Sequence, residues 1–283
     1  MKIAMCNEMF VGWNLEKQFR FIAECGYDGV ELAPFTVASD LSYANPPLDD
    51  VRKLDQKTRD SIVKVASSTG IGVSGLHWLL AKTTGFYLTS PEDQIRNKTA
   101  EYLRELAYFC RDIGGQYMVL GSPQQRNLLP NLSMESAYDY AADVLSKVLP
   151  TLEETKVVLG LEPLTPFETN FLQTGADARF LIEKLGKSKW LGVHLDCKAM
   201  FGSEKLPADA IIRDPSLRPY LKTFHANDPN LQGPGFGKLD FKPIMGALKE
   251  IGFDGWIGIE PFDYSPGVER LAKESIKTLK RAL

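Results

Sequence analysis

Eight short, mostly apolar runs recur along the chain, with longer stretches of helical spacing between them. In order they are KIAMC (2–6), GVELA (29–33), GVSGLHW (72–78), YMVLGS (117–122), VVLGLE (157–162), LGVHLD (191–196), LKTFHA (221–226) and WIGIE (256–260). Length and apolar content predict a strand for each. In NLEKQFRFIAECG, Leu15, Phe19, Ile22 and Ala23 fall on one helical face. LDQKTRDSIVKVASSTG ends in Gly70 and NKTAEYLRELAYFCRDIGG in paired glycines, as helix C-caps do. Asn14, Ser133 and Thr174 are candidate N-caps. Ser133 is followed three residues on by Ser136, so it makes no capping box. The closing GVERLAKESIKTLKRAL has the basic end that suits a helix C-terminus.

Eight strands alternating with helices within 283 residues predict an α/β fold, a (β/α)8 TIM barrel formed as one domain over residues 1–283. An open doubly wound sheet would need a phosphate-binding first turn. The run after the first strand, NEMFVGW, contains no G-x-G-x-x-G. GPGFG (233–237) follows a strand but opens no helix and lacks the lysine of a P-loop, so it reads as a flexible loop. ANPPLDDVRK (44–53) reads as an elaborated strand-to-helix loop, and no Pro- or Ser-rich linker divides the chain.

Composition narrows the partners. With 33 Lys+Arg against 36 Asp+Glu the net charge is −3, and no block of like charge offers a nucleic acid its phosphate contacts. Cys6, Cys25, Cys110 and Cys197 lie far apart with no C-x-x-C, the pattern of reduced thiols in a cytoplasmic protein rather than a zinc knuckle or redox pair. MKIAMC reads as a strand and not as a signal peptide, and no apolar run is long enough to span a membrane.

What ends each strand carries the chemistry. VVLGLEP and IGIEP each close an apolar run with one glutamate, Glu162 or Glu260, and then a proline that keeps it extended. Glu31, His77, Asp196 and His225 end four other strands, so six of the eight deliver an ionisable group to the mouth where barrels keep reactive residues. Solvent-facing strand ends would accept any polar residue, yet two of the only three histidines sit there. Glu162, Asp196, His225 and Glu260 come from four successive strands about 4.8 Å apart and can share one ion. Three carboxylates and one imidazole suit Mn2+, Mg2+ or Co2+ better than a structural zinc. A buried hydrogen-bonded network is the alternative.

The chain resembles the xylose isomerase-like TIM-barrel superfamily, in its sugar phosphate isomerase/epimerase group of ketose 3-epimerases, inosose dehydratase and hydroxypyruvate isomerase. The carriers are LEPLTPFETNF (161–171), HLDCKAM (194–200), FHANDPNLQGPGFGKLDF (224–241) and IGIEPF (257–262), with GLHWLL (75–80) and GSPQQR (121–126) beside them. The resemblance implies one divalent cation on Glu162, Asp196, His225 and Glu260, Mn2+ foremost, then Mg2+, Co2+ or Zn2+. It implies that Glu162 and Glu260 also carry protons, and that Glu168 contacts substrate hydroxyls. Two substrate-gripping positions depart from the ketose 3-epimerase pattern: Ala199 stands for a histidine and Leu231 for an arginine.

A cation bound to the carbonyl and hydroxyl oxygens of a sugar stabilises the enediolate left by proton removal. Reprotonation on the far face is epimerisation, proton return to the neighbouring carbon is isomerisation, and loss of hydroxide is dehydration. The expected partner is therefore a small carbohydrate, with neither nucleic acid nor membrane, and a homo-oligomer is allowed. His77 is read as a donor to a substrate oxygen or a mouth-wall histidine, and Trp78 as packing on the other face. Lys198 is read as a substrate contact or a surface lysine. Arg126 would bind an anionic substituent or pair with a loop carboxylate, Glu31 would hold a hydroxyl, and His194 lies one layer deeper as a core histidine. Among rival functions, a three-zinc endonuclease needs more histidines. A retaining glycosidase needs no Asp196 or His225 between its glutamates, and a non-catalytic sugar-binding barrel needs only one of the two. A lyase acting on keto-sugars, keto-glycosides or inososes is the main alternative.

Overall fold

A computed structural model describes residues 1–283. The strands are β1 (Lys2–Cys6), β2 (Gly29–Leu32), β3 (Gly72–Leu76), β4 (Tyr117–Leu120), β5 (Val158–Leu161), β6 (Leu191–Asp196), β7 (Leu221–His225) and β8 (Trp256–Ile259). Each pairs in parallel with the next, and β8 pairs with β1 to close the barrel. Every strand falls within its expected run, but most stop a residue or two early. Beyond those points the loops diverge and the next carbonyl has no ladder partner. β3 ends at Leu76, two residues before Trp78, which later decides where that indole points.

Nine helices surround the barrel: α1 (Leu15–Cys25), α2 (Gln56–Thr69), α3 (Asp93–Asp112), α4 (Met134–Thr155), α5 (Gly175–Lys184), α6 (Cys197–Ser203), α7 (Ala208–Arg213), α8 (Phe241–Glu250) and α9 (Val268–Ala282). Asn14 starts α1 by accepting the Lys17 N–H at 2.9 Å. Gly26 ends it at φ 90°, left-handed backbone that glycine adopts without a Cβ penalty. Ser133 caps α4, and Thr174 caps α5 in a reciprocal box with Asp177. Asp196 is both the last residue of β6 and the N-cap of α6, its Oδ1 accepting the Ala199 N–H at 2.9 Å.

The 44–53 segment belongs to a longer β2–α2 connection that includes two short 3-10 turns and a Val37–Tyr43 bridge. GPGFG lies in the β7–α8 loop. One contiguous cluster of 66 buried apolar residues joins strands and helices, so the chain is a single domain with one core. No helix is long and apolar enough to cross a membrane, and all four cysteines are free.

Candidate active site

Strand order brings Glu162, Asp196, His225 and Glu260 to adjacent positions at the C-terminal end of the barrel. One ligand atom from each lies within 4.8 Å of all the others. All four are buried. Two glycines make room for them. A Cβ on Gly121 would overlap the Glu162 carboxylate, and one on Gly258 would stand 2.5 Å from His225 Cδ2.

Burial, and then the charge of Glu260, pushes the Glu162 carboxyl up to about 8. Burial likewise raises Asp196. For Glu260 burial acts upward too, but the charge and hydrogen bond of His225, with the charges of His77 and Lys198, together hold the group below its ordinary range. Burial would depress His225, yet Glu31, Cys6 and Glu260 hold it well above its ordinary value. Three carboxylates thus crowd around one imidazole in a water-poor space, an arrangement a divalent cation neutralises. The donor set fits a hard ion, and His194 Nε2, 4.0 Å from Glu162 Oε1, is left without a hydrogen-bond partner.

A second ring of side chains orients the first. Glu31 Oε1 lies 3.0 Å from His225 Nε2, and its other oxygen accepts the Tyr117 hydroxyl at 2.5 Å. Asn227 donates its amide to Asp196 Oδ2 and accepts the Glu260 N–H on Oδ1 at 2.8 Å. The Trp78 indole donates to Glu260 Oε1 at 2.6 Å. His77 Nε2 stands 2.7 Å from Glu8 Oε2 and 3.9 Å from Glu260 Oε1.

A small cleft opens against Glu162 and Glu260. His77, Trp78, Glu168, Lys198 and Phe262 are among its walls. Lys198 is 9 % exposed, so it is no surface lysine. Its ammonium donates to Glu168 Oε1 at 2.8 Å and lies 4.5 Å from the Phe262 ring centroid. Glu168 also accepts the Thr165 hydroxyl at 2.8 Å.

Three sequence expectations meet a different geometry. Arg126 does not line the cleft and pairs with no carboxylate. Its buried guanidinium donates to the carbonyls of Leu120, Glu162 and Leu172, and burial lowers it to about 10. Glu31 is fully buried and does not line the cleft, and His225 and Tyr117 lie against its two oxygens; the β2–β3 register shifts at Val30/Glu31. Trp78 faces the cleft beside His77 instead of the opposite side. Its φ of 55° breaks the alternation a regular strand would impose. His194 is a core histidine, its Nδ1 2.9 Å from Thr223 Oγ1. Ala199 is buried behind Asp196, and Leu231 is 45 % exposed.

Glu8, Tyr117 and Asn227 are additions that strand-end reading missed. Glu8 lies just past the end of β1, so the strand-end position that marks the other mouth residues marks it too.

The chain matches the xylose isomerase-like TIM barrel family over residues 19–282 and belongs to it. It is 24 % identical over 261 residues to L-ribulose 3-epimerase of Mesorhizobium japonicum, covering 92 % of this chain and 80 % of that one. With 3-dehydro-D-guloside 4-epimerase of Escherichia coli it shares 23 % identity over 267 residues, 92 % of each chain. The crystal structure of apo 3-keto-D-glucoside 4-epimerase from E. coli superposes with a TM-score of 0.82 over 99 % of both chains at 20 % identity, the same fold.

Proposed function

We propose that the chain is a divalent-metal-dependent sugar epimerase of the ketose or keto-glycoside type. The observation that carries the reading is the convergence of Glu162, Asp196, His225 and Glu260 on one point, with Glu162 and Glu260 also lining a cleft. The epimerases among its relatives support the substrate class. Those four residues would hold the ion, their three carboxylates and one imidazole suiting Mn2+, Mg2+ or Co2+, with Mn2+ the first choice. When bound, it polarises the substrate carbonyl and stabilises the developing enediolate by several kcal/mol.

The protein's own groups do the rest. Glu162 directly follows β5 and Glu260 directly follows β8, with two strands between them, so their carboxylates approach a bound sugar from different sides. One removes the proton next to the carbonyl, and the C–H electron pair passes into that carbonyl. The other returns a proton to the opposite face and inverts the centre. Lys198 and Glu168 hold hydroxyls along one wall. His77, braced by Glu8, reaches an oxygen from another. Trp78 and Phe262 offer an apolar surface to the C–H face of the ring and exclude water. The free cysteines suit work in a reducing cytoplasm.

The test is an NMR screen in D2O of free ketoses, keto-glycosides, inososes and sugar phosphates, using protein stripped by a chelator and then resupplied with Mn2+. Deuterium entering one carbon-bound position only after Mn2+ is added is the expected result. Undiminished exchange in stripped protein rejects the metal, and an unsaturated product instead of an epimer assigns elimination.

A further inference from the structure

Trp78 is the only aromatic among the non-glycine residues with positive φ, at 55°. Left-handed backbone is unfavourable for a bulky side chain and persists where surrounding contacts over-determine it. Here the contacts are specific. β3 stops at Leu76, and the twist at Trp78 sends two consecutive side chains, His77 and Trp78, into the same cleft. The indole is edge-on to Phe35 at 6.0 Å between centroids and tilted against Phe262 at 6.3 Å. From that fixed position its N–H meets Glu260 Oε1 at 2.6 Å, a charge-assisted hydrogen bond to a buried carboxylate.

The other oxygen, Oε2, lies 3.1 Å from His225 Nδ1, on the side of the convergent cluster. A carboxylate end rotates over a broad, roughly two-fold torsion unless something holds it. The Glu260 backbone is anchored by Asn227, which leaves the carboxylate's rotation to the indole and His225. We infer that Trp78 is the positioning residue of Glu260: its indole N–H divides the two oxygens, keeping Oε2 in the ligand cluster and Oε1 at the cleft wall beside His77. The inference rests on the proton-carrier reading of Glu260 and adds what keeps that carboxylate in register with the substrate. The strained turn is then a working part of the site, since relaxing Trp78 into regular strand geometry would withdraw the donor.

Trp78→Phe keeps an aromatic ring between Phe35 and Phe262 and removes only the donor. We expect Mn2+ affinity by calorimetry, the turnover of deuterium exchange, or both to fall about 10- to 100-fold, with KM within about twofold and the melting temperature close to wild type. Wild-type values for both affinity and turnover overturn the inference. If wild type exchanges no sugar proton, the epimerase reading fails while the Mn2+ affinities of the two proteins still decide the role of Trp78. Should the variant not fold, the wild-type chain decides alone. It has four tryptophans, and the Trp78 indole proton is expected downfield of the other three in a 1H–15N spectrum and slow to exchange. An unshifted, rapidly exchanging signal overturns the inference.

Discussion

Glu31 and His225 are joined under the floor of the site: Glu31 Oε1 lies 3.0 Å from His225 Nε2, while His225 Nδ1 faces Glu260 Oε2 at 3.1 Å and Asp196 Oδ2 at 3.9 Å. A proton held on Nε2 by the buried glutamate leaves Nδ1 toward the carboxylate cluster. Glu31→Gln weakens that hold without opening a cavity. Mn2+ affinity measured by calorimetry is expected to fall about 10- to 100-fold, and an unchanged Kd would reduce Glu31 to a buried partner of Tyr117.

Glu162 sets a pH dependence in the chelated protein. Its carboxyl rises from an ordinary 4.5 to about 8 on folding, through burial and the charge of Glu260. Between those values the folded chain keeps a proton that the unfolded chain has lost. Stability is therefore greatest below 4.5 and falls as pH rises toward 8. Asp196, raised by burial, acts in the same direction. Melting temperatures of stripped protein should drop across this window, Glu162→Gln should flatten the drop, and Mn2+ should restore stability at its upper end. An equal slope in the variant places the dependence on other groups.

Arg126 is structural. Its guanidinium satisfies the Glu162 carbonyl at 2.6 Å and ties the end of β5 to the loop carbonyl of Leu172. Arg126→Met leaves the Glu162 carbonyl without that donor. Denaturant unfolding should show a loss of about 1–3 kcal/mol. A variant of full stability but raised KM for an anionic sugar would return Arg126 to substrate binding.

Gly121 bears on the metal site through space alone. A methyl group there overlaps the Glu162 carboxylate, and the backbone needs no positive φ. Gly121→Ala should cut Mn2+ affinity and exchange activity about tenfold or more while shifting the melting temperature little. Normal Mn2+ binding in this variant would show that Glu162 has another rotamer compatible with the ion.

Eight apolar runs at helix-length intervals dictate the barrel, because they leave few ways to bury both strands and helices. The sequence also determined which residues meet at the mouth. A strand's last residue is a topological address, and Glu162, Asp196, His225 and Glu260 are convergent once the strands lie in chain order. Period-two alternation carries no information past the last ladder bond, and there the tertiary structure decided. The left-handed turn at Trp78 reversed the side that alternation assigns to it. The register shift at Glu31 accompanies its place against His225, away from the cleft wall. Arg126, readable as an anion ligand, folds back onto backbone carbonyls that only the packed loops bring within reach. Glu8 meets His77 because β1, β2 and β3 are neighbours in the closed barrel, a contact between residues 69 positions apart. Hydrogen-bond partners of buried charge are chosen by three-dimensional proximity, which local periodicity does not encode.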